Sequence, residues 1–385
     1  MTTRSVDLLT RLLAFDTVSS QSNLALIGFV QQLLEAHGIA TRLFHDATGG
    51  KANLFASVGP VDQPGLLLSG HTDVVPVEGQ QWTVPPFAAT HREGRIYGRG
   101  SCDMKGFIAC AVNAMLLADA STLKRPLQLA LSYDEEIGCV GVRDLIDSLR
   151  MAPIKPFLCL VGEPTGMQLA LGHKGKAALR ACCHGQEGHS ALAPQSVNAI
   201  HLASDLIGLL RTKQSELVLN GARDAAYAVP YTTLHVGKIA GGKALNIVPN
   251  FCEVDFEIRT IAADNPDRMV QELREQCEVI VERAKATSPV AAIDLEWVNA
   301  YPGLDTPAQE PSVRWLHQLL GSDTPVTKVA FGTEGGLFAE ALGVPVAVCG
   351  PGYIEHAHKP DEFVALEQLH RCDELLGTLL SALTL

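Results

Sequence analysis

The chain has 385 residues, a length that favours two domains over one hydrophobic core. Hydrophobic residues make up 47% of it, and its 34 glycines and 21 prolines are typical of a globular α/β protein with many tight loops. The formal net charge is −12, and the sequence contains no long basic run. This argues against nucleic acid as a partner, because binding to a polyanion depends on clustered lysines and arginines.

The N-terminal segment places Arg4, Asp7 and Arg11 within an apolar pattern, which predicts an amphipathic helix rather than a signal peptide. The apolar run at 107–120 is too short to cross a bilayer and predicts a buried helix, so we expect no membrane association. The ten cysteines are scattered without a CxxC pair, which gives no sign of a disulfide framework or a thiolate zinc site. Such cysteine usage favours the reducing cytoplasm as the location.

Short apolar runs alternate with helical patterns along most of the chain. The runs at 65–70, 127–133, 157–162 and 344–350 predict buried strands, and the segments at 23–38, 104–119, 140–150 and from about 366 onward predict helices. This alternation is typical of a mainly parallel sheet with helices on its faces. We therefore predict an α/β fold for this part of the chain.

The middle of the chain has a different order. The patterns predict a strand at 176–185, a helix at 196–217, strands at 231–239 and 251–260, a helix at 266–286 and a strand at 292–300. The succession β-α-β-β-α-β is that of a ferredoxin-like unit. We therefore expect an inserted α+β domain at 175–300, with residues 1–174 and 301–385 forming the other domain.

Acids and histidines follow the predicted strands at their carboxyl ends, where the functional groups of open α/β sheets collect. They are His71 and Asp73 after the first strand, Asp134, Glu135 and Glu136 after the second, Glu163 after the third, and His356 and His358 after the fourth. Asp103 lies in a glycine-rich loop that opens a helix. Histidines with several carboxylates suit zinc, cobalt or manganese, and a bridging carboxylate lets two cations lie about 3.5–4 Å apart.

Simpler interpretations exist for some of these residues. Asp103 could cap its helix, and Glu163, which precedes a proline, could be a solvated loop acid. His356 and His358 face opposite ways in an extended segment, so at most one of them is expected to point inward. A dinucleotide-binding oxidoreductase is excluded, because no G-x-G-x-x-G follows the early strands.

Five sequence blocks resemble, in type and order, the signature blocks of the dinuclear zinc amidohydrolases: "SGHTDVVP", "GRIYGRGSCDMKG", "SYDEEIGCVGVRDLI", "VGEPT" and "GPGYIEHAHKPDEF". This family includes acetylornithine deacetylase, succinyl-diaminopimelate desuccinylase and aminoacylase. The resemblance covers nearly the whole chain. It implies a zinc-exopeptidase-like catalytic domain with an inserted lid and dimerisation domain, and hydrolysis of a small N-acylated amino acid.

The resemblance implies two divalent metal ions, with Zn²⁺ expected and Co²⁺ as the alternative. Asp103 would bridge the two ions, and the peptide bond that follows it would be cis. His71 and Glu163 would complete one site. Glu136 and His358 would complete the other.

The resemblance also assigns groups around the metals. Glu135 would be the general base, which takes the water proton and passes it to the leaving amine, and Asp73 would orient the histidine two residues before it. His189 would donate a hydrogen bond to the developing oxyanion in the active site of the partner subunit of a homodimer. Arg259 and Asn246 would hold the α-carboxylate of the substrate. Without the motifs, His189 and Arg259 would be interpreted as a solvated loop histidine and a strand-end arginine.

The blocks "SYDEEIGCVGVRDLI" and "AFGTEGGLFAEALGVPVAVCGPG" look most similar to those of members that convert N2-acetyl-L-ornithine to L-ornithine and acetate, a step of arginine biosynthesis. We hypothesise that Glu334, with Thr333 and Gly335, receives the δ-ammonium of this substrate, since a buried acid suits a distal positive charge. The alternative for Glu334 is a cap on the helix that begins near Gly335. Two other functions stay open: deacylation of a different N-acyl amino acid, and metal binding without catalysis.

Overall fold

The computed structural model describes residues 4–385. Its α-helices are α1 (Arg4–Leu13), α2 (Leu24–Glu35), α3 (Lys105–Leu117), α4 (Arg143–Met151), α5 (Ala199–Asn220), α6 (Pro266–Lys285), α7 (Pro311–Leu320), α8 (Gly335–Leu342) and α9 (Leu366–Ala382). Each helix predicted from the sequence is present, the first of them from Arg4 onward, while residues 1–3 of the predicted N-terminal helix lie outside the described part. None of the helices from α1 to α9 combines the length and apolar character that a membrane span requires.

The strands include each one predicted from an apolar run, together with several that the sequence patterns did not indicate. They are β1 (Ala40–His45), β2 (Ala52–Val58), β3 (Leu66–His71), β4 (Thr90–Arg92), β5 (Arg95–Tyr97), β6 (Leu127–Ser132), β7 (Leu158–Pro164), β8 (Leu169–His173), β9 (Gly175–His184), β10 (Gly188–His189), β11 (Thr233–Gly241), β12 (Ile247–Val248), β13 (Phe251–Thr260), β14 (Ala292–Tyr301), β15 (Leu304–Asp305), β16 (Val326–Val329), β17 (Val346–Gly350) and β18 (Phe363–Ala365).

The chain divides into two compact units. The larger unit contains the residues up to His173 and those from Leu304 to Leu385, and the inserted unit is Lys174–Gly303. The range 175–300, predicted to form the inserted domain, lies within the inserted unit.

The sheet of the larger unit has the order β1-β2-β6-β3-β7-β17-β8-β15, and β16 pairs with β8. Its centre, β6-β3-β7-β17, is parallel. Antiparallel strands flank this centre, with β1 and β2 on one side and β8 on the other. The predicted α/β fold with a mainly parallel sheet is confirmed, and the central strands end along one edge, where a site is expected.

Helix α3 is buried along most of its length and packs against β3, β6 and β7. The ring of Phe107 lies over Gly162 of β7, where an added Cβ would come within 1.9 Å of the ring. Only a residue without a side chain allows the helix to approach the strand this closely. The N-terminal end of α3 is thereby held beside the carboxyl end of β7.

The inserted unit has an antiparallel sheet in the order β11-β13-β9-β14. Its α5 and α6 belong to the same hydrophobic core as the buried face of the sheet, which includes Leu179, Val254 and Phe256. Side chains along β9 and β13 alternate between buried and partly exposed, as expected for a sheet that is covered on one face. The element order is the predicted β-α-β-β-α-β succession, with two short strands and a 3₁₀ turn added.

Candidate active site

A cluster of carboxylates and imidazoles lies at the carboxyl edge of the parallel centre, within the larger unit. His71 ends β3, Glu135 and Glu136 follow β6, Glu163 lies at the end of β7, Asp103 precedes α3, and His358 follows β17 after a short 3₁₀ turn. Parallel strands end on the same side of a sheet, so residues far apart in sequence meet there. The histidine at 356 does not join the cluster but stacks on the ring of Phe363, with 4.2 Å between the ring centroids.

Asp103 lies between the two histidines of the cluster. Its Oδ1 is 3.0 Å from His71 Nε2, and its Oδ2 is 3.3 Å from His358 Nε2. Each carboxylate oxygen of Asp103 therefore reaches a different imidazole, which is the arrangement that a bridging ligand requires. The peptide bond between Asp103 and Met104 is cis.

Each histidine also faces a second carboxylate. His71 Nε2 lies 3.6 Å from Glu163 Oε1, and His358 Nε2 lies 3.1 Å from Glu136 Oε2. Two triplets of residues present ligand atoms within 4.8 Å of one another, His71 with Glu135 and Glu163, and His71 with Asp103 and Glu136. The structure thus brings all of the sequence-predicted metal ligands together in one place.

The crowding of acids shifts their pKa values. Burial raises the pKa of Glu135 to about 8 and that of Glu136 to about 7, and neighbouring carboxylates add to both shifts. Burial also raises the pKa of Glu163 well above its usual value. Hydrogen bonds to Asp103 and Glu136 raise the pKa of His358 to about 10. Buried carboxylates that repel one another beside imidazoles form a donor set that fits divalent cations such as Zn²⁺.

The carboxylate of Asp73 contacts the acidic turn, residues 134–136, more closely than it contacts the imidazole of His71. His71 Nδ1 lies 2.9 Å from the backbone oxygen of Asp73 but 3.6 Å from its Oδ1. The Asp73 carboxylate instead accepts hydrogen bonds from Ser19 Oγ at 2.7 Å and from the backbone N–H groups of Glu135 and Glu136 at 3.1 and 3.2 Å. Because the side chain is directed towards this turn, the carbonyl of Asp73 is the nearer partner of the imidazole.

A buried ion pair supports the loop that carries Asp103. Arg99 Nη1 lies 2.7 Å from Glu362 Oε2, and both side chains are 1% exposed. Glu362 Oε1 accepts hydrogen bonds from the backbone N–H groups of Cys102 and Asp103 at 2.9 and 3.1 Å. Arg99 and Glu362 were not among the predicted site residues, although both lie in the blocks that carry the resemblance.

Asp134 has a partner that the sequence analysis missed. Lys51 Nζ lies 2.5 Å from Asp134 Oδ1. Lys51 comes immediately before β2 and belongs to none of the resembling blocks, so only the fold reveals the pair. Of the three consecutive acids, Asp134 therefore faces a lysine, whereas Glu136 faces a histidine of the cluster.

Comparison with known proteins identifies the family of the chain. Residues 67–382 match Peptidase family M20/M25/M40. The chain belongs to this family. Members of the family hydrolyse amide bonds, and this M20 protein is accordingly a hydrolase of that class.

Curated relatives of this M20 protein are similar over nearly its full length. It is 36% identical to the acetylornithine deacetylase of Myxococcus xanthus, with 96% of this chain and 94% of the relative covered. It is 35% identical to the acetylornithine deacetylase of Proteus mirabilis (strain HI4320), with 95% of this chain and 92% of the relative covered.

Solved structures share the fold of the M20 protein. An M20 family metallo-carboxypeptidase from Sulfolobus solfataricus superposes with a TM-score of 0.79 at 19% identity, covering 100% of both chains. A Bacillus subtilis protein described as a dinuclear metal binding peptidase of the M20 family has a TM-score of 0.69 at 13% identity, covering 98% of this chain and 97% of that chain. At these identities the likeness concerns the fold.

Glu334 lies at the start of α8 and is 1% exposed. Its side chain makes no capping hydrogen bond within the described part of the chain, whereas Thr333 Oγ1 accepts a hydrogen bond from Gly335 N at 2.9 Å. Glu334 Oε2 lies 3.4 Å from Ser69 Oγ, and the carboxylate also lies within reach of the Ser132 hydroxyl. Burial raises the pKa of Glu334 to about 7. Capping therefore does not explain this buried acid.

The remaining predicted site residues lie in the inserted unit. His189 is on β10, paired with β12 next to Asn246, and His189 Nδ1 accepts a hydrogen bond from Ala191 N at 3.1 Å. Arg259 is on β13, where it donates hydrogen bonds to Glu257 Oε1 at 3.0 Å and to Tyr301 OH at 2.8 Å. His189 and Asn246 are thus on neighbouring segments, and Arg259 is on a different strand.

Proposed function

We propose that this M20 protein is a metal-dependent amidohydrolase that converts N2-acetyl-L-ornithine to L-ornithine and acetate in arginine biosynthesis. The observation that carries the proposal is the complete donor cluster around Asp103, found in a chain that is 32–36% identical to five acetylornithine deacetylases over most of its length. The cluster supports the reaction class, and the relatives support the substrate.

The donor set supports two divalent cations, Zn²⁺ first and Co²⁺ as the alternative. Asp103 would bridge them, His71 and Glu163 would complete one site, and Glu136 and His358 would complete the other. Cations held there would polarise the acyl carbonyl and lower the pKa of water. The support for Asp103 as the bridge is that its two oxygens face different imidazoles, at 3.0 and 3.3 Å.

Glu135 would carry the proton. It is adjacent in sequence to Glu136, but its Oε1 accepts a hydrogen bond from Cys139 Sγ at 3.3 Å, whereas Glu136 contacts His358. A carboxylate of Glu135 would take a proton from the attacking water and pass it to the nitrogen of the leaving amine. A base whose pKa is raised by burial towards the operating pH suits this role.

The inserted unit would act as a lid and dimerisation domain of a cytoplasmic homodimer. His189 would donate a hydrogen bond to the oxyanion that develops on the acetyl carbonyl, and Arg259 and Asn246 would hold the α-carboxylate of acetylornithine. A guanidinium suits a carboxylate because it offers parallel N–H donors. The pairing of β10 with β12, which keeps His189 next to Asn246, supports a shared task for these two residues.

Glu334, with Thr333 and Gly335, would receive the δ-ammonium of acetylornithine. The support is that Glu334 is a buried acid whose recorded side-chain partners, Ser69 and Ser132, are neutral hydroxyls. A cationic group is the partner that such an acid favours. Glu334→Gln is expected to raise KM for acetylornithine much more than KM for acetylmethionine. Equal changes in KM for both substrates would contradict the assignment of Glu334 to the δ-ammonium.

The test of the proposal is a substrate screen on the purified full-length protein. The protein is stripped with a chelator, reloaded with Zn²⁺ or Co²⁺, and assayed for amine release from N2-acetyl-L-ornithine, N-succinyl-diaminopimelate and N-acetyl-methionine. Metal-dependent hydrolysis that is fastest with acetylornithine supports the proposal. Faster hydrolysis of another compound would make the protein a deacylase of that substrate instead, and metal binding without hydrolysis would make it a non-catalytic family member.

A further inference from the structure

The acidic turn at 134–136 is tied to a lysine outside the signature blocks. Lys51 Nζ lies 2.5 Å from Asp134 Oδ1, and the two side chains are 19% and 13% exposed. The backbone of Asp134 has φ = 56°, in the left-handed region that residues other than glycine adopt uncommonly. An ion pair at this depth is partly shielded from solvent, so it can hold the turn in this conformation more firmly than a surface pair.

Lys51 also contacts the turn indirectly, through a chain of hydrogen bonds. Lys51 Nζ also donates to the backbone oxygen of Ser19 at 2.5 Å, and Ser19 Oγ donates to Asp73 Oδ2 at 2.7 Å. The carboxylate of Asp73 in turn accepts the backbone N–H groups of Glu135 and Glu136. Lys51 thus contacts the turn directly through Asp134 and indirectly through Ser19 and Asp73.

We propose that Lys51 and Ser19 are positioning residues that fix the orientation of Glu135 and Glu136. The loss of Lys51 would leave Asp134 without its cationic partner near the carboxylates of Asp73 and Asp46, and their repulsion would displace the turn. The loss of the Ser19 hydroxyl would remove a donor that orients Asp73. This inference rests on the proposed function, because it assigns Glu135 to proton transfer and Glu136 to metal binding.

The first variant that tests the inference is Lys51→Met, with Lys213→Met as the matched control. Lys213 is 20% exposed and lies 2.8 Å from Glu272 in the inserted unit, so the control removes a lysine of similar exposure from an ion pair, while Glu272 keeps Arg268 as a second partner. Lys51→Met is expected to lower kcat by about 10- to 100-fold, the usual loss when a group that supports a metal ligand is removed. KM should change by less than about twofold, since Lys51 supports the turn rather than the substrate.

A second readout does not depend on turnover. The visible absorption spectrum of the Co²⁺-loaded protein reports the ligand geometry, and it should change in Lys51→Met and stay unchanged in Lys213→Met. Lys51→Arg, which keeps the charge, should restore most of kcat. Lys51→Met/Asp134→Asn should be no slower than Lys51→Met alone, because it removes the unpaired acid as well.

The outcomes separate this inference from the proposed function. If the wild-type protein hydrolyses no N-acyl amino acid, the proposed function fails, and the Co²⁺ spectrum still decides the role of Lys51. An unchanged spectrum with kcat within about twofold of wild type in Lys51→Met, or an equal loss in Lys213→Met, would overturn the inference. If Lys51→Met does not fold, Ser19→Ala, which removes only one hydroxyl, takes its place. The same criteria then apply to its kcat and its Co²⁺ spectrum.

Discussion

Glu135 and Glu136 are adjacent in sequence but have different contacts. The backbone N–H groups of both donate to the carboxylate of Asp73, so the two residues share one anchor. Their side chains then diverge, with Glu136 beside His358 and Glu135 beside Cys139. A single turn can therefore supply both the proposed metal ligand and the proposed proton carrier.

This divergence predicts different defects for the same substitution at the two positions. Glu135→Gln should keep metal affinity but lower kcat by about 10²- to 10⁴-fold, the range for loss of a general acid–base. Glu136→Gln should instead weaken metal binding, because it removes the anionic group of a proposed ligand. Metal content after dialysis, measured together with kcat at saturating metal, distinguishes the two. Equal metal loss in both variants would contradict the separate roles.

The raised pKa values predict that metal binding releases protons. Hydrogen bonds to Asp103 and Glu136 raise the pKa of His358 to about 10, so its imidazole is protonated in the metal-free protein at neutral pH. The proposed role of His358 as a metal ligand requires the neutral imidazole, so binding would displace this proton and the affinity would rise as the pH increases towards about 10. Titration calorimetry in buffers of different ionisation enthalpy measures the proton count. His358→Asn should release fewer protons than wild type, and His189→Ala the same number.

The central strands of the larger unit's sheet could be predicted from the sequence, whereas its edge strands could not. Strands β3, β6 and β7 are buried on both faces and appear as short apolar runs between polar segments. Strand β1 is partly exposed and carries Thr41, Arg42 and His45, so its sequence lacks a clear period. The residues predicted to bind metal could be named from the sequence because each follows a central strand or lies in a resembling block.

The contacts that support the candidate site could not be predicted without knowledge of the fold. Lys51 and Asp134 are 83 residues apart, and neither composition nor spacing indicates that they meet. They come together because β2 pairs with β6, which places the residue before β2 beside the turn after β6. The same holds for Arg99 and Glu362, separated by 263 residues. Pairings of this kind depend on sheet order, which the element pattern alone does not specify.

The loop before α3 depends on the buried pair of Arg99 and Glu362. In Glu362→Gln the amide oxygen can still accept from the backbone, but the guanidinium loses its anionic partner. Breaking a buried pair in this way typically costs about 3–5 kcal/mol. Urea unfolding should show this loss, whereas Asp305→Asn, which breaks a pair with Lys328 at a site where Asp305 is 49% exposed, should cost less than about 1 kcal/mol. Similar losses in both variants would argue against a special role for the buried pair.

The proposed groups are divided between two units of the chain. The cluster around Asp103 belongs to the larger unit, whereas His189, Asn246 and Arg259 belong to the inserted unit. Insertion of one unit within the other leaves each with its own hydrophobic core. The groups assigned to metal binding and proton transfer can therefore be varied separately from the group assigned to the oxyanion.

This division allows a direct test of whether His189 acts across a homodimer. Glu135→Gln and His189→Ala should each be nearly inactive alone, since one would lack the proposed proton carrier and the other the proposed oxyanion donor. In a mixed dimer, the site that keeps Glu135 would receive an intact His189 from the other subunit and would be active. Random pairing in a symmetric dimer makes half of the dimers mixed, with one active site each, so co-expression should restore roughly a quarter of wild-type kcat. Co-expression that restores no activity, in protein shown to contain mixed dimers, would place His189 in its own subunit's site.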